Sequence, residues 1–200
     1  MIIKKVELHD FDTELQRFMD SDDKFLMVRG YFNSDKINAV LGGLERINRR
    51  HHSCNRVTMM ITRLRYLTDP VKEHFRNDAI YNFKDRFTHE GISYKFDTYL
   101  QNFDMPFGYD ANAVVYYPVQ TVLYDNNLGG FNNFKRKLSN SQSHKNILIT
   151  SNDYTKQFEK GYSLVDRVLI LDTTELNPNN KEKYHNIVEN NKADGEEMPY

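Results

Sequence analysis

Residues 24–65 constrain the fold more than any other stretch. Lys24-Phe-Leu-Met-Val-Arg-Gly-Tyr-Phe32 reads as a buried strand. Asn33 or Ser34 is then expected to cap a helix whose apolar residues Ile37, Val40, Leu41, Leu44 and Ile47 fall at i, i+3, i+4, i+7 and i+10. Arg56-Val-Thr-Met-Met-Ile61 returns as a second apolar strand. Strand, helix and strand joined by short loops form a βαβ unit, which implies a parallel sheet.

The exit of that helix is chemically unusual. Arg46, Arg49, Arg50, Arg56, Arg63 and Arg65 crowd together with His51 and His52, and no Asp or Glu lies among them. Arginine's planar fork suits phosphate, so this stretch is read as an anion-facing edge. A second basic run, Phe131-Asn-Asn-Phe-Lys-Arg-Lys137, places Lys135, Arg136 and Lys137 beside aromatic rings that could stack bases or serve the core. Residues 7–23 are the opposite: Glu7, Asp10, Asp12, Glu14, Asp20, Asp22 and Asp23 face a single Arg17. The net charge of −1 therefore hides a locally polarised chain.

The remaining elements alternate. Ile2 to Leu8 is expected as an edge strand and Asp12 to Met19 as an amphipathic helix. Asp69-Pro70 signals a helix start, with Asp69 as the cap, Val71 and Phe75 buried, Phe83 and Phe87 continuing the spacing and Gly91 ending it. Ile92 to Phe96 reads as a strand. Ala113 to Tyr117 and Val119 to Tyr124 are strand-like and split by Pro118. Leu128, Phe131, Phe134 and Leu138 mark a helix, followed by a polar loop at 139–143. Asn146 to Thr150 and Arg167 to Leu171 are short buried strands. From Asn177 the chain turns polar and is expected to be mobile, although Tyr184, Ile187 and Val188 are spaced to dock a helical turn.

Two hundred residues can bury one substantial core. The expected architecture is a single α/β domain over residues 1–176, a mixed and largely parallel sheet flanked by helices, with a flexible tail at 177–200. One cysteine, Cys54, excludes an internal disulfide and a Cys-only metal site. His51-His52 with Cys54 lacks zinc-ligand spacing, and no metal is expected. Neither pair of adjacent glycines, Gly42-Gly43 or Gly129-Gly130, belongs to a phosphate loop of standard spacing, so no cofactor is expected. No stretch approaches a membrane span, and the first residues lack the apolar run of a signal peptide. A cytoplasm, of a cell or an infected host, is the expected setting.

The second half of the chain carries a motif pair. Pro118-Val-Gln120, four residues and Asp125 are followed later by Ile149-Thr-Ser-Asn152 and Asp153-Tyr-Thr155. In spacing and element order this resembles a degenerate phospholipase D-like phosphodiesterase/nuclease domain, whose motifs read His-x-Lys, four residues, Asp and then Gly-Ser-x-Asn. Asp125, Asn152 and the hydroxyl of Thr150 match in type. Pro118 stands at the His position and Gln120 at the Lys position, and the gap between motifs is longer than the family's. The resemblance implies loss of catalysis, because the family's His attacks phosphorus while its Lys and Asn hold the phosphate oxygens.

The sequence therefore points to non-enzymatic binding of a phosphate-bearing partner, nucleic acid first, in a phage or mobile-element accessory role. Its contacts would be the six arginines, with Lys135, Arg136 and Lys137 secondary. Two alternatives stand beside it. One is a phosphodiesterase or nuclease with an unidentified nucleophile, for which His144 is the spare candidate. The other is a protein-binding inhibitor or assembly factor using its acidic segment and many tyrosines. Homo-oligomerisation is left open.

Overall fold

The computed structural model describes residues 1–63, 68–75, 85–124 and 128–200. Among these residues, eight strands form one sheet in the order β1-β8-β2-β7-β6-β3-β5-β4. They are β1 (Ile2–Glu7), β2 (Phe25–Arg29), β3 (Arg56–Ile61), β4 (Phe87–His89), β5 (Ile92–Thr98), β6 (Ala113–Tyr116), β7 (Lys145–Ile149) and β8 (Arg167–Asp172). Every neighbouring pair is parallel except β4 with β5. The molecule is a single α/β domain, as the alternation of elements predicts.

Helices cover both faces. On one side lie α1 (Leu8–Asp20), α2 (Asn33–His51) and α3 (Asp69–His74). Their apolar stripes, among them Phe11, Leu15, Val40 and Leu44, share a core with Leu26, Val28, Ile147 and Ile149. On the other side lie α4 (Gln120–Leu123), α5 (Leu128–Ser139) and a 3-10 segment, Lys156–Leu164. There Val122, Leu123, Phe134 and Phe158 pack on Met27, Met60 and Leu148. Residues 26, 27 and 28 thus alternate between the two cores with the period of a strand. That double burial is why the central strands are apolar throughout.

The βαβ unit of β2, α2 and β3 is present, but its strands are not neighbours. β7 and β6 lie between them, so α2 crosses three strand positions. Its partner helix comes close: a Cβ on Gly43 would meet the Cδ2 atom of Leu15 at 2.6 Å, so the α1–α2 contact uses the bare glycine.

Several local expectations change. The residue capping α2 is Phe32, not Asn33 or Ser34, and it makes no side-chain cap. Asn33 is instead bonded to Asn152. Thr68 precedes α3, so Asp69 is its first helical residue. Phe83 lies outside the described residues, and Phe87 opens β4 instead of extending a helix. Glu90 and Gly91, at φ 47° and 78°, form the two-residue turn into β5. Phe87 then stacks on Tyr94 and Phe96 at centroid distances of 5.8 and 5.7 Å. Val119 to Tyr124 is not a strand. Val119, Val122 and Leu123 have i, i+3, i+4 spacing, and α4 buries that face. The segment expected as a mobile tail carries α6 (Pro178–Ala193), capped by the Asn177 side chain. Tyr184 of α6 lies 5.2 Å from the Tyr31 ring. Among the described residues, no helix is long and apolar enough to cross a membrane.

Gly30, just after β2, holds φ at +148°, and a Cβ there would sit 2.6 Å from the main-chain oxygen of Leu171. Gly30→Ala therefore combines backbone strain with a clash that no side-chain rotation relieves. The expected cost is about 2 kcal/mol, or roughly 4–8 °C in melting temperature for a chain of this size. Gly129→Ala, in a helix with open space around it, should leave the melting temperature unchanged or slightly higher. Equal melting curves for the two variants would show that the β2 exit is not held as described.

Candidate functional site

β2 and β7 are adjacent and parallel, yet the chain leaves them toward opposite faces. From β2 it enters α2; from β7 it enters the 3-10 segment. Such a divergence at the carboxyl edge is where open α/β sheets form their ligand crevice.

Here the crevice is built around Arg29, the last residue of β2. Arg29 Nε donates to Asp153 Oδ2 at 2.9 Å and Nη2 donates to Oδ1 at 2.6 Å, with both side chains fully buried. Arg29 Nη1 donates to the Tyr162 hydroxyl at 2.6 Å. The Thr150 hydroxyl donates to Asp153 Oδ2 at 2.8 Å. Burial alone would favour loss of the guanidinium proton, but Asp153 overrides it and holds Arg29 charged.

Lys36, in the first turns of α2, is a second buried cation. Its ammonium donates to the Gly30 carbonyl and, at 3.4 Å, to Thr150 Oγ1. Burial pushes its pKa down to about 8, with Arg29 acting in the same direction and Asp153 opposing. The far end of the chain closes the site. The Tyr200 ring lies 5.0 Å from the Arg29 guanidinium, and its hydroxyl donates to the Asp153 carbonyl at 3.3 Å. Tyr31 donates to the Tyr200 main-chain oxygen at 2.7 Å.

The two motif segments read in the sequence meet at the same edge. Val119 N–H donates to Ile149 O at 3.0 Å, and Ser151 N–H donates to the Gln120 side-chain oxygen at 3.2 Å. Thr150 is buried, whereas Asn152 is exposed and exchanges hydrogen bonds with Asn33. Asp125 lies outside the described residues. His144 does not belong here: it precedes β7, and Asn152 follows it. Five strand residues, roughly 17 Å, separate the two ends, so proximity in sequence is not proximity to the motif.

The basic residues divide. Arg46 forms a two-pronged pair with Asp12 of α1, with Nη2 donating to Oδ1 at 2.7 Å. Arg136 pairs with Asp104. Lys137 is only 4% exposed; it donates to the Asn102 carbonyl at 3.2 Å and lies 4.3 Å from the Phe107 ring. It is a core contact, and burial lowers its pKa. Arg63 follows β3 at the carboxyl edge, opposite to Arg56 at the strand's start. Arg65 lies outside the described residues. Lys135 is exposed on α5, across the sheet from α2. That leaves Arg49, Arg50 and Arg56, all exposed, at the amino-terminal edge where α2 ends and β3 begins.

Cys54 is buried and its thiol is pushed up to about 12 by burial, which makes it a poor partner for the exposed His51 and His52. Among the described residues, the metal-type ligands that do converge are Glu45, His74 and His89. The sequence reading missed them, and also Arg29 and Lys36; Asp153 appeared there only within the second motif, with no role of its own. Two signals were available. Arg29 interrupts an apolar strand, and Lys36 lies on the helical stripe of Val40 and Leu44.

Compared with protein-family models and with curated proteins, the chain gives no match.

The buried ammonium of Lys36 has a consequence for stability. The unfolded chain keeps the proton up to the ordinary lysine value of 10.5, whereas the folded chain releases it near 8. Unfolding therefore takes up a proton between those limits, and the stability attributable to Lys36 rises with pH across them. Relative to Lys36→Met, the native chain should gain up to about 3 kcal/mol between pH 8 and 10.5. Urea denaturation of both proteins across that range measures it. A difference independent of pH would mean that Lys36 is not buried as described.

Proposed function

We propose that this chain is a non-enzymatic binding protein for a phosphate-bearing partner, namely nucleic acid, contacted by Arg49, Arg50 and Arg56. The observation that carries the proposal is the separation of these three from the other cations. Arg46 and Arg136 are paired with carboxylates and Lys137 is packed in the core, but Arg49, Arg50 and Arg56 are exposed on one edge. No ion pair involves these three among the described residues. Solvated arginines on one edge can exchange their counterions for phosphates, and the released ions favour binding.

The non-enzymatic half has separate support. At the β2–β7 crossing the buried Arg29 and Asp153 are bonded to one another, with Tyr200 over the guanidinium. Pro118 and Gln120 stand where the phospholipase D-like resemblance would require a nucleophile and a cation. The Gln120 side chain also accepts from Ser151, so it is engaged in joining the two motif segments. We read the chain as a non-catalytic relative that binds through its opposite edge.

Fluorescence anisotropy with labelled single- and double-stranded DNA across a salt series tests this. Affinity should fall steeply with salt. The triple variant Arg49→Ala, Arg50→Ala, Arg56→Ala should reduce the slope of log K against log salt by roughly 2–3. Arg63→Ala, at the far edge, should leave it unchanged. Affinity that ignores both salt and the triple substitution would overturn the reading.

A further inference from the structure

On the α2–α3 side of the molecule, three side chains from three elements converge. Glu45 lies on α2, His74 ends α3 and His89 ends β4. His74 Nε2 is 2.8 Å from Glu45 Oε1, and His89 Nε2 is 4.0 Å from the same oxygen. The nearest ligand atoms of the three all lie within 4.8 Å of one another. Their side chains are 6%, 10% and 21% exposed respectively, so His89 is the most open of the three.

The surrounding contacts orient the group. His74 Nδ1 faces Asn38 Oδ1 at 3.2 Å, about two turns before Glu45 on α2. The Tyr94 hydroxyl donates to Glu45 Oε1 at 3.1 Å. The His74 and His89 rings are 5.6 Å apart, and the Phe75 ring lies edge-on to each at 5.0 and 5.2 Å. Apolar walls and an oriented second imidazole nitrogen are the ordinary surroundings of a metal-binding histidine.

Asn38 Oδ1 and Glu45 Oε1 are both acceptors, and each faces a different nitrogen of His74. With Nδ1–H held by Asn38, Nε2 and the carboxylate oxygen meet where a cation fits between them, whether a second ring proton or a metal ion.

We propose that Glu45, His74 and His89 bind a zinc ion, with water as the fourth ligand, and thereby clip α3 and the β4–β5 hairpin to α2. Two imidazoles and one carboxylate suit zinc. Magnesium and calcium favour oxygen-only shells and should not compete. Bonds of 2.0–2.2 Å in a tetrahedral site need ligand atoms roughly 3.3 Å apart. Glu45 and His74 would part slightly, and the His89 ring would move inward by about 1 Å. The site uses none of the arginines proposed to bind nucleic acid.

The full chain, stripped with a chelator and returned to metal-free buffer, should bind one zinc per molecule in a calorimetric titration. Cobalt should give the visible absorption of a four- or five-coordinate ion. Zinc at about a hundred times its dissociation constant should raise the melting temperature by roughly 5–10 °C, whereas magnesium should not. His89→Ala removes the most exposed ligand and should abolish the zinc shift with an unchanged circular dichroism spectrum. His74→Gln should do the same, and the double variant His51→Ala, His52→Ala should retain binding. Absence of stoichiometric zinc binding would overturn the proposal. So would binding that survives in His89→Ala and His74→Gln.

Discussion

The buried pair of Arg29 and Asp153 holds together the place where this fold would otherwise part. β2 and β7 lie side by side, but their continuations run to opposite layers. Arg29 ends the first strand, and Asp153 sits in the loop that follows the second. The same guanidinium reaches Tyr162 of the 3-10 segment and lies beneath the Tyr200 ring. Four separate stretches of chain therefore meet on one charge. Such a pair adds little net stability over an apolar substitute, but removing one partner strands a buried charge at a cost of about 3–5 kcal/mol. It acts as a condition on the fold more than as a source of stability: sequences that misplace either loop leave a charge without its partner.

Lys36 shows the same logic with a different outcome. Arg29 has a carboxylate and stays charged, whereas Lys36 has only a carbonyl and a hydroxyl, and its proton is loosened. Two cations sit in one crevice with the single fully buried carboxylate of Asp153 between them. Glu159, at 3.9 Å from Arg29 and 41% exposed, is the nearest further acid. The crevice thus sets two buried cations against one buried carboxylate, with the Tyr200 ring over the guanidinium. This combination explains why a sheet edge of ligand-binding topology supports a reading in which the ligand binds elsewhere.

The sequence reveals the fold where one periodicity dominates. α2 and the central strands follow from their apolar spacing, because a fully buried strand and a one-faced helix leave distinct patterns. Phe87 and Val119 mark where that reasoning failed. Phe87 satisfies a helical spacing by accident, and its place is decided by stacking on Tyr94 and Phe96 across a hairpin. Val119 is β-branched, but the i, i+3, i+4 pattern with Val122 and Leu123 outweighs that propensity. The site was less legible because charge in sequence is not charge in space. The acid-rich segment and the arginine-rich segment looked like two unmatched blocks. In three dimensions Asp12 meets Arg46 and Asp23 meets Arg167. Lys145 closes the end of α1 by donating to the main-chain oxygens of Phe18, Ser21 and Asp23. Much of the polarity thus fastens α1 to the rest of the domain. Only what remains after this pairing can be offered to a partner.

α2 connects the three features that carry functional meaning. Its first turns supply Asn33 and Lys36 to the strand crossing, Glu45 faces His74 and His89, and its last turn carries Arg49 and Arg50. Glu45 and Arg49 are i, i+4 neighbours, one turn apart on the helix. An ion of charge +2 on Glu45 would reverse the local sign one turn from that arginine. It would also sit toward the carboxyl end of the helix, where a cation complements the macrodipole. Metal on the triad would therefore raise the positive potential of the edge at which a polyanion is proposed to bind, without contacting that ligand. The coupling would be electrostatic, would weaken as salt shortens the screening length, and would need no movement of α2.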